Sequence, residues 1–342
     1  MCWQQLATSR TRYDIEILKM SDIQNAAIIG AGLAGCYLAQ QLTKAGIATT
    51  VFEKSRGTGG RLSSCRLGEG SADLGAPYFD ATTDEFRDWI KTQPNIVQWC
   101  DISSPATSAP TRYTATPRQS ALTRALLSDS TLCAATRIAS IQEHTDGRKQ
   151  LTTDDQQTYG PFDAVFVCAP AQQAAYLLSP APDFADIASR VQPTMNWVIV
   201  IEVEVEDSTE VNHYEAPHLV IARAIKDSAK PGRKASAEHR ETWMIEADAD
   251  WSRVHEDADA DWVYETLLSA FAAILARPFN VTGKRTHRWL YSRHINPVIG
   301  SLWSEESRIG ACGDWLDIGG VEGAWRSAHD LSQRVLAHTK AG

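Results

Sequence analysis

Two glycine clusters and an isolated carboxylate stand close together near the start of the chain. The first cluster, Gly30-Ala31-Gly32-Leu33-Ala34-Gly35, is a G-x-G-x-x-G directly after a short apolar run. That spacing suits a dinucleotide. The first glycine makes a tight turn, the second lets backbone approach a diphosphate, and the third lets a helix pack close to a strand. The unpaired N–H groups of the helix start then face the phosphates. Glu53 lies 23 positions after Gly30, at the end of a second apolar run, where a carboxylate can accept hydrogen bonds from an adenosine ribose. Directly after it come Lys54-Ser55-Arg56-Gly57-Thr58-Gly59-Gly60-Arg61. A plain nicotinamide-dinucleotide domain has no need of this second glycine cluster ending in Arg. Far along the chain, Gly310-Ala311-Cys312-Gly313-Asp314-Trp315 and Gly319-Gly320-Val321-Glu322-Gly323-Ala324-Trp325 read as strand, Gly-Asp turn, glycine-rich loop and helix.

For these residues to meet, strand ends must carry them to one edge of a sheet. Residues 25–30 read as a strand, the glycine turn opens a helix to about 45, and 49–53 are a second strand. This β-α-β opening predicts a parallel sheet. Residues 164–169 and 308–312 are further strands, and a final helix runs from about 320 to 337. Residues 196–205 alternate in strand fashion, and 218–225 and 241–246 continue an antiparallel-looking region. Residues 285–291 form another strand. A helix is predicted over 257–276, with the acidic first turn that a helix dipole favours. Residues 103–117, rich in Pro, Ser and Thr, read as a crossing between domains.

The expected class is α/β. A Rossmann-like, dinucleotide-binding type of domain takes 22–80, 115–172 and 285–342. An α+β substrate domain on an antiparallel sheet takes 81–114 and 173–284. Residues 1–21 are an N-terminal extension, either a start-site artefact or a short appended arm.

The 33 Lys+Arg against 42 Asp+Glu, a net charge of −9 with no long cationic run, argue against a nucleic-acid partner. The seven cysteines are odd in number and never spaced C-x-x-C, so neither a disulfide framework nor a zinc knuckle is indicated. A reducing, cytoplasmic compartment follows, with Cys36, Cys168 and Cys312 as buried thiols. The longest uncharged apolar stretch, 26–39, is too short to span a membrane. Residues 1–19 lack the apolar centre of a signal peptide. No phosphate loop, H-x-x-x-H pair or G-x-S-x-G elbow is present, so ATP hydrolysis, a catalytic metal and a serine hydrolase are not indicated. Eight of the 11 Trp fall between Trp197 and Trp325, an excess that invites a search for an aromatic pocket.

The Gly59-Gly60-Arg61 cluster after Glu53 resembles FAD proteins of the amine-oxidase type. That resemblance implies that Gly59 and Gly60 bring backbone to the cofactor and that Arg61 adds charge and donors beside the diphosphate. Gly75, Ala76, Pro77 and Tyr78 are similar to the segment that brings backbone and an aromatic ring near the flavin. Residues 163–170, with Ala169, resemble the strand that returns beside the cofactor. Asp314 would hold the ribityl or phosphate region. The helix start at Val321, Glu322 and Ala324 would aim its positive end at the flavin N1–C2=O edge, favouring the anionic reduced form.

Glu53-Lys54-Ser55-Arg56-Gly57, Gly59-Gly60-Arg61, Asp73-Leu74-Gly75-Ala76, His287-Arg288-Trp289-Leu290-Tyr291, Cys312-Gly313-Asp314-Trp315 and Val321-Glu322-Gly323-Ala324-Trp325 together resemble bacterial members of the renalase family, from about Ile23 onward. The resemblance implies non-covalent FAD. Besides the positions above, it implies that Gly30, Ala31, Gly32, Leu33, Ala34, Gly35, Glu53, Lys54, Arg56, Ile138, Ala169 and Gly313 lie against the cofactor. It further implies oxidation of the 2- and 6-dihydro isomers of NAD(P)H, with hydride passing to flavin N5 and O2 taking the electrons to give H2O2. A dihydropyridine needs little acid–base help, so no catalytic side chain is assigned. Trp289, His287, Tyr78 and Trp325 are the candidates nearest the flavin, with Trp315 beside them.

Two alternatives stand. One is a flavin amine oxidase on small amines or polyamines, although His287-Arg288-Trp289 stands where many amine oxidases carry a lysine. The other is a redox-silent FAD-binding sensor or scaffold. Two departures from the family fall toward the substrate: Pro77 where Gln is usual, and Arg118-Gln119 where Gly-Met is common. The preferred ligand is expected to shift with them.

Overall fold

The computed structural model describes residues 23–68, 70–99, 111–233, 239–295 and 299–339. The N-terminal extension and residues 103–110 of the predicted crossing lie outside the described residues.

A six-stranded sheet carries the first glycine cluster. Its order is Leu302–Ser304, Ile309–Ala311, Ala164–Val167, Asn25–Ile29, Ala48–Phe52 and Thr131–Cys133. All neighbours are parallel except the Leu302–Ser304 edge. Ala164–Val167 is buried at every residue, as continuous apolar runs in parallel sheets should be. Helices Leu33–Lys44 and Gly320–Thr339 cover one face. The other face is covered by helix Ala171–Leu177 and a meander of Ile138–Glu143, Lys149–Thr153 and Thr158–Phe162.

A second sheet is antiparallel throughout, in the order His213–His218, Ile221–Lys226, Arg240–Ala247, Gln192–Val205 and Phe279–Ile295. The period-2 alternation divides its side chains. Ile199, Ile201, Trp243 and Ile245 pack under helix Ala260–Leu275 through Val263, Leu267 and Phe271. Val198, Val200, Met244 and Trp289 face Leu67, Ala72 and Leu74, on or just after the hairpin Ser64–Leu67/Gly70–Asp73. That hairpin follows Arg61, so the second sheet closes over the region beside the second glycine cluster. The α/β class, with a parallel sheet plus a separate antiparallel one, is the observed class.

Several expectations need correction. The strand predicted at 285–291 within the cofactor domain is part of Phe279–Ile295, an edge of the antiparallel sheet. Its pairing along the whole of Gln192–Val205 outweighs its closeness in sequence to the C-terminal elements. The strand predicted over 218–225 is a hairpin that turns after His218. The helix predicted from 257 begins at Ala260, because Asp259 caps it by accepting the N–H groups of Asp261 and Trp262. Residues 112–115 of the predicted crossing form a strand paired to Ile96–Trp99. Cys36 and Cys312 are buried free thiols; Cys168 is half-buried, with its sulfur 3.4 Å from that of Cys312. No helix among the described residues is long and apolar enough to cross a membrane.

Candidate functional site

The first strand ends at Gly30, whose N–H donates to the Phe52 carbonyl at 2.8 Å. The helix starts so close behind it that a Cβ on Gly35 would lie 2.0 Å from the Gly30 oxygen. Only glycine permits that approach. Leu33 and Ala34 are buried in the core beneath. A Cβ on Gly32 would meet nothing within 4 Å, so open space lies before the backbone at the helix start. There the first N–H groups lack intrahelical partners.

Glu53, 7% exposed, accepts the Ala31 N–H at 2.9 Å with one carboxylate oxygen and the Ser55 N–H at 2.8 Å with the other. It therefore braces the glycine loop, and each oxygen keeps a further lone pair for a ribose hydroxyl. The Gly59 N–H donates to the Ala31 carbonyl at 2.8 Å, and Gly60 lies against Gly32, which sets the two glycine clusters side by side. Lys54 and Arg56 lie on the exposed loop between, with Lys54 Nζ donating to Gln173 at 3.1 Å.

Arg61 and Asp314 form a two-pronged ion pair. Arg61 Nη1 donates to Asp314 Oδ2 at 2.8 Å, Nη2 donates to Oδ1, and Nη1 also reaches the Ser292 carbonyl at 3.1 Å. The Asp314 side chain is 3% exposed and that of Arg61 31%. The two groups expected to contact the cofactor separately are thus each other's partner, a neutral fork between the sheets. Gly313 donates to the Ser327 hydroxyl at 3.0 Å, which fixes the turn against the last helix.

A Cβ on Gly75 would fall 2.0 Å from the Arg61 carbonyl, which instead accepts the Ala76 N–H at 2.9 Å. Gln119, at one of the two departures, is buried beneath this segment and donates to the Ala76 carbonyl at 3.1 Å. Pro77 is buried. Tyr78 is half-buried, with its hydroxyl 3.1 Å from Arg223 Nη1 and the Arg112 guanidinium 4.4 Å from its ring centre. Burial raises the Tyr78 pKa, opposed by Arg223 and Arg112.

Glu322 does not offer its carboxylate to a ligand. It accepts from Thr82 N and Oγ1 at 2.7 and 2.8 Å and from Thr83 N and Oγ1 at 2.9 and 2.6 Å. Burial pushes its pKa up, but these bonds outweigh it and hold the carboxyl below its ordinary value. Any contribution from Glu322 to a cofactor runs through its backbone. Val321 and Ala324 are half-buried beside it at the helix start.

Two tryptophans expected near the flavin belong to cores. Trp325 packs among Phe86, Trp89, Tyr37 and His329, with ring centres 5.1–5.8 Å away, because its position on the helix faces inward. Trp315 is buried and donates to the Ala169 carbonyl at 3.1 Å, tying two strand ends together. Ile138, the first residue of the meander, is buried in the same core as Trp315.

Trp289, by contrast, is half-buried on the antiparallel sheet and donates to the Leu74 carbonyl at 3.0 Å, beside Gly75. His287 lies 4.3 Å from it, ring to ring, and burial, helped by Arg285, lowers its pKa below 6.5.

One residue of this region was not foreseen. His294 follows Ser292 on the same strand, and both of its ring nitrogens are buried with no hydrogen-bond partner. The predicted strand stopped at 291 and no motif includes a histidine there, so nothing in the sequence singled it out. A buried set of Asp73, Asp227, Lys230 and Arg233 was likewise missed. Among the described residues, no three His, Cys, Asp or Glu side chains group so as to hold a metal ion.

Residues 28–92 match the NAD(P)-binding Rossmann-like domain family. The whole fold is similar to that of a proposed protoporphyrinogen oxidase from Exiguobacterium sp. 255-15. The TM-score is 0.69 at 11% identity, over 94% of this chain and 100% of the other. It is also similar to an oxidoreductase from Methanosarcina mazei, with a TM-score of 0.59 at 14% identity, over 90% of this chain and 100% of the other. At these identities the likeness is one of fold.

Proposed function

We propose that the chain is an FAD-dependent oxidoreductase of renalase type, which oxidises 2- and 6-dihydro isomers of NAD(P)H to NAD(P)+. The observation that carries this reading is the meeting of three motif segments that lie far apart in the sequence. The Gly30–Gly35 loop with Glu53, the Arg61–Asp314 fork, and Trp289 over Leu74–Gly75 are linked in series by hydrogen bonds, from Gly59 to Ala31, Ala76 to Arg61, Arg61 to Asp314 and Ser292, and Trp289 to Leu74. The residues suit a dinucleotide: space opens before Gly32, and Glu53 is positioned for a ribose. The name of the Methanosarcina mazei protein, an oxidoreductase, agrees with this class.

In this reading the parallel-sheet unit holds the cofactor and the antiparallel sheet faces the substrate. FAD, when bound, supplies a hydride acceptor at N5 whose electrons pass to O2, giving H2O2. The helix start at Gly32 binds the diphosphate through backbone N–H groups. The indole of Trp289, fixed by its bond to Leu74, excludes water and offers a flat face to a nicotinamide ring. His287, held neutral near pH 7 by burial, places no positive charge beside that ring. None of these residues moves a proton, which suits a substrate that already carries its hydride.

Anaerobic stopped-flow mixing of the FAD-loaded protein with 2-, 4- and 6-dihydro-NAD(P) checks the proposal. The 2- or 6-dihydro isomer should bleach the flavin faster than ordinary NADH does. If no isomer does so, the renalase reading fails. Peroxide from an amine panel, with none from dihydropyridines, would establish the amine-oxidase alternative instead.

A further inference from the structure

We infer that His294 is a cofactor-contacting residue, an imidazole presented by the antiparallel sheet to the ribityl–diphosphate stretch of FAD. The inference rests on the FAD reading above. The first ground is hydrogen-bond accounting. Both ring nitrogens of His294 are buried and neither has a partner, although native structures leave few such groups unsatisfied. A group of this kind calls for a partner, and a ligand with its own donors and acceptors can supply one.

The second ground is position. The Ser292 carbonyl, two residues earlier, accepts from Arg61 Nη1 at 3.1 Å, so this end of the strand is pinned to the Arg61–Asp314 fork. His294 senses both members of that pair electrostatically. The fork sits where the second glycine cluster ends and the Gly-Asp turn begins. Arg61 and Asp314 are occupied with each other, whereas the His294 nitrogens are not.

The third ground is the course of the strand. Trp289, at the Leu74–Gly75 end, lies five residues before His294, at most about 17 Å along an extended strand. The strand thus runs from the Leu74–Gly75 segment at Trp289 to the Arg61–Asp314 fork beside His294. Between the two residues the register slips: Asn196 pairs with Trp289 but Thr194 pairs with Arg293. Irregularities of this kind re-aim side chains and are common beside functional sites. Burial lowers the His294 pKa, so the ring is neutral at pH 7 and offers one donor and one acceptor. That pairing suits a phosphate oxygen on one side and a ribityl hydroxyl on the other.

Equilibrium dialysis of FAD and of lumiflavin, followed by flavin absorbance, tests the inference on the wild type, His294→Ala and His294→Gln. Thermal midpoints of the three apoproteins are measured alongside. His294→Ala should weaken FAD about tenfold, and His294→Gln should recover most of that loss. Lumiflavin, which lacks both ribityl and diphosphate, should bind wild type and His294→Ala alike, and the apoprotein midpoints should differ little. Equal FAD affinity of wild type and His294→Ala would overturn the inference. So would an affinity loss that falls equally on lumiflavin, or one that tracks a lower apoprotein midpoint and is not rescued by Gln. A wild type that binds no FAD at all would refute the FAD reading itself, a result readily told apart from the others.

Discussion

Arg61 and Asp314 show how one contact changes the meaning of two residues. Read singly, each is a cofactor ligand; read as a pair, each is also the other's counter-charge. Removing one side of a nearly buried pair leaves a charge without compensation, a larger loss than the net worth of the pair. Arg61→Ala should therefore cost about 2 kcal/mol, below the usual range for buried pairs because the guanidinium is partly exposed. Adding Asp314→Asn should return part of that loss, since it removes the stranded carboxylate. Urea unfolding of the apoproteins measures both, and the coupling follows from the double-mutant cycle. Strictly additive losses would mean that the two groups do not depend on each other. Under the proposed FAD reading, both variants should also shed FAD more readily, as the fork joins the end of the second glycine cluster to the second sheet.

Glu322 joins elements in the same way. Its carboxylate links the first turn of the last helix to Thr82 and Thr83, just before helix Asp84–Lys91. It thus sits at two helix N-termini, where negative charge is favoured. Its folded-state pKa is lowered from 4.5, burial notwithstanding, so the stabilisation is present above the unfolded value and lost as pH falls through the folded one. Glu322→Gln should be less stable than wild type at pH 7, by about 1–2 kcal/mol, and the gap should narrow below about pH 4.5. Urea midpoints at stepped pH check this; a gap independent of pH would show that the carboxylate charge is not what matters.

The same residue shows what sequence can and cannot reveal. The Gly30–Gly35 turn, its strand and its helix are legible because every signal lies within a few residues. Glu322 and Thr82 are 240 positions apart, and nothing local announces their bond. Trp325 stands next to the glycine loop in sequence, whereas the rotation of the helix turns it into a core with Phe86 and Trp89. The strand end at His294 carries no local signal, because its pairing with Pro193 is settled a hundred residues upstream.

At the scale of the whole molecule, buried charge locks the antiparallel sheet to the hairpin Ser64–Leu67/Gly70–Asp73 and to strand Arg112–Ala115, beside the candidate site. Asp73 closes the hairpin that follows Arg61, while Asp227, Lys230 and Arg233 come from the segment after strand Ile221–Lys226. Lys230 Nζ lies 2.9 Å from Asp73 and 2.6 Å from Asp227, and Arg233 pairs with both carboxylates. Asp73 also accepts the Gln119 N–H at 2.9 Å, and Arg233 donates to the Ala115 carbonyl at 3.0 Å. Two acids and two bases balance. Burial alone would raise the Asp73 pKa, but Lys230 and Arg233 hold it down, so the carboxylate stays ionised inside the protein. Three chain segments thereby converge one residue before Leu74, the residue that accepts from Trp289. The charge set thus anchors the residue next to the acceptor of the Trp289 indole N–H. Lys230→Met would leave two buried carboxylates facing one cation, and should cost about 3–5 kcal/mol in urea unfolding. Lys230→Met combined with Asp227→Asn restores neutrality with a similar volume and should recover much of the loss. In that rescued protein, flavin bleaching by a dihydropyridine should still be slower than in wild type if the set aims Leu74 and Trp289. A rescued variant with wild-type bleaching would reduce the set to a structural clamp.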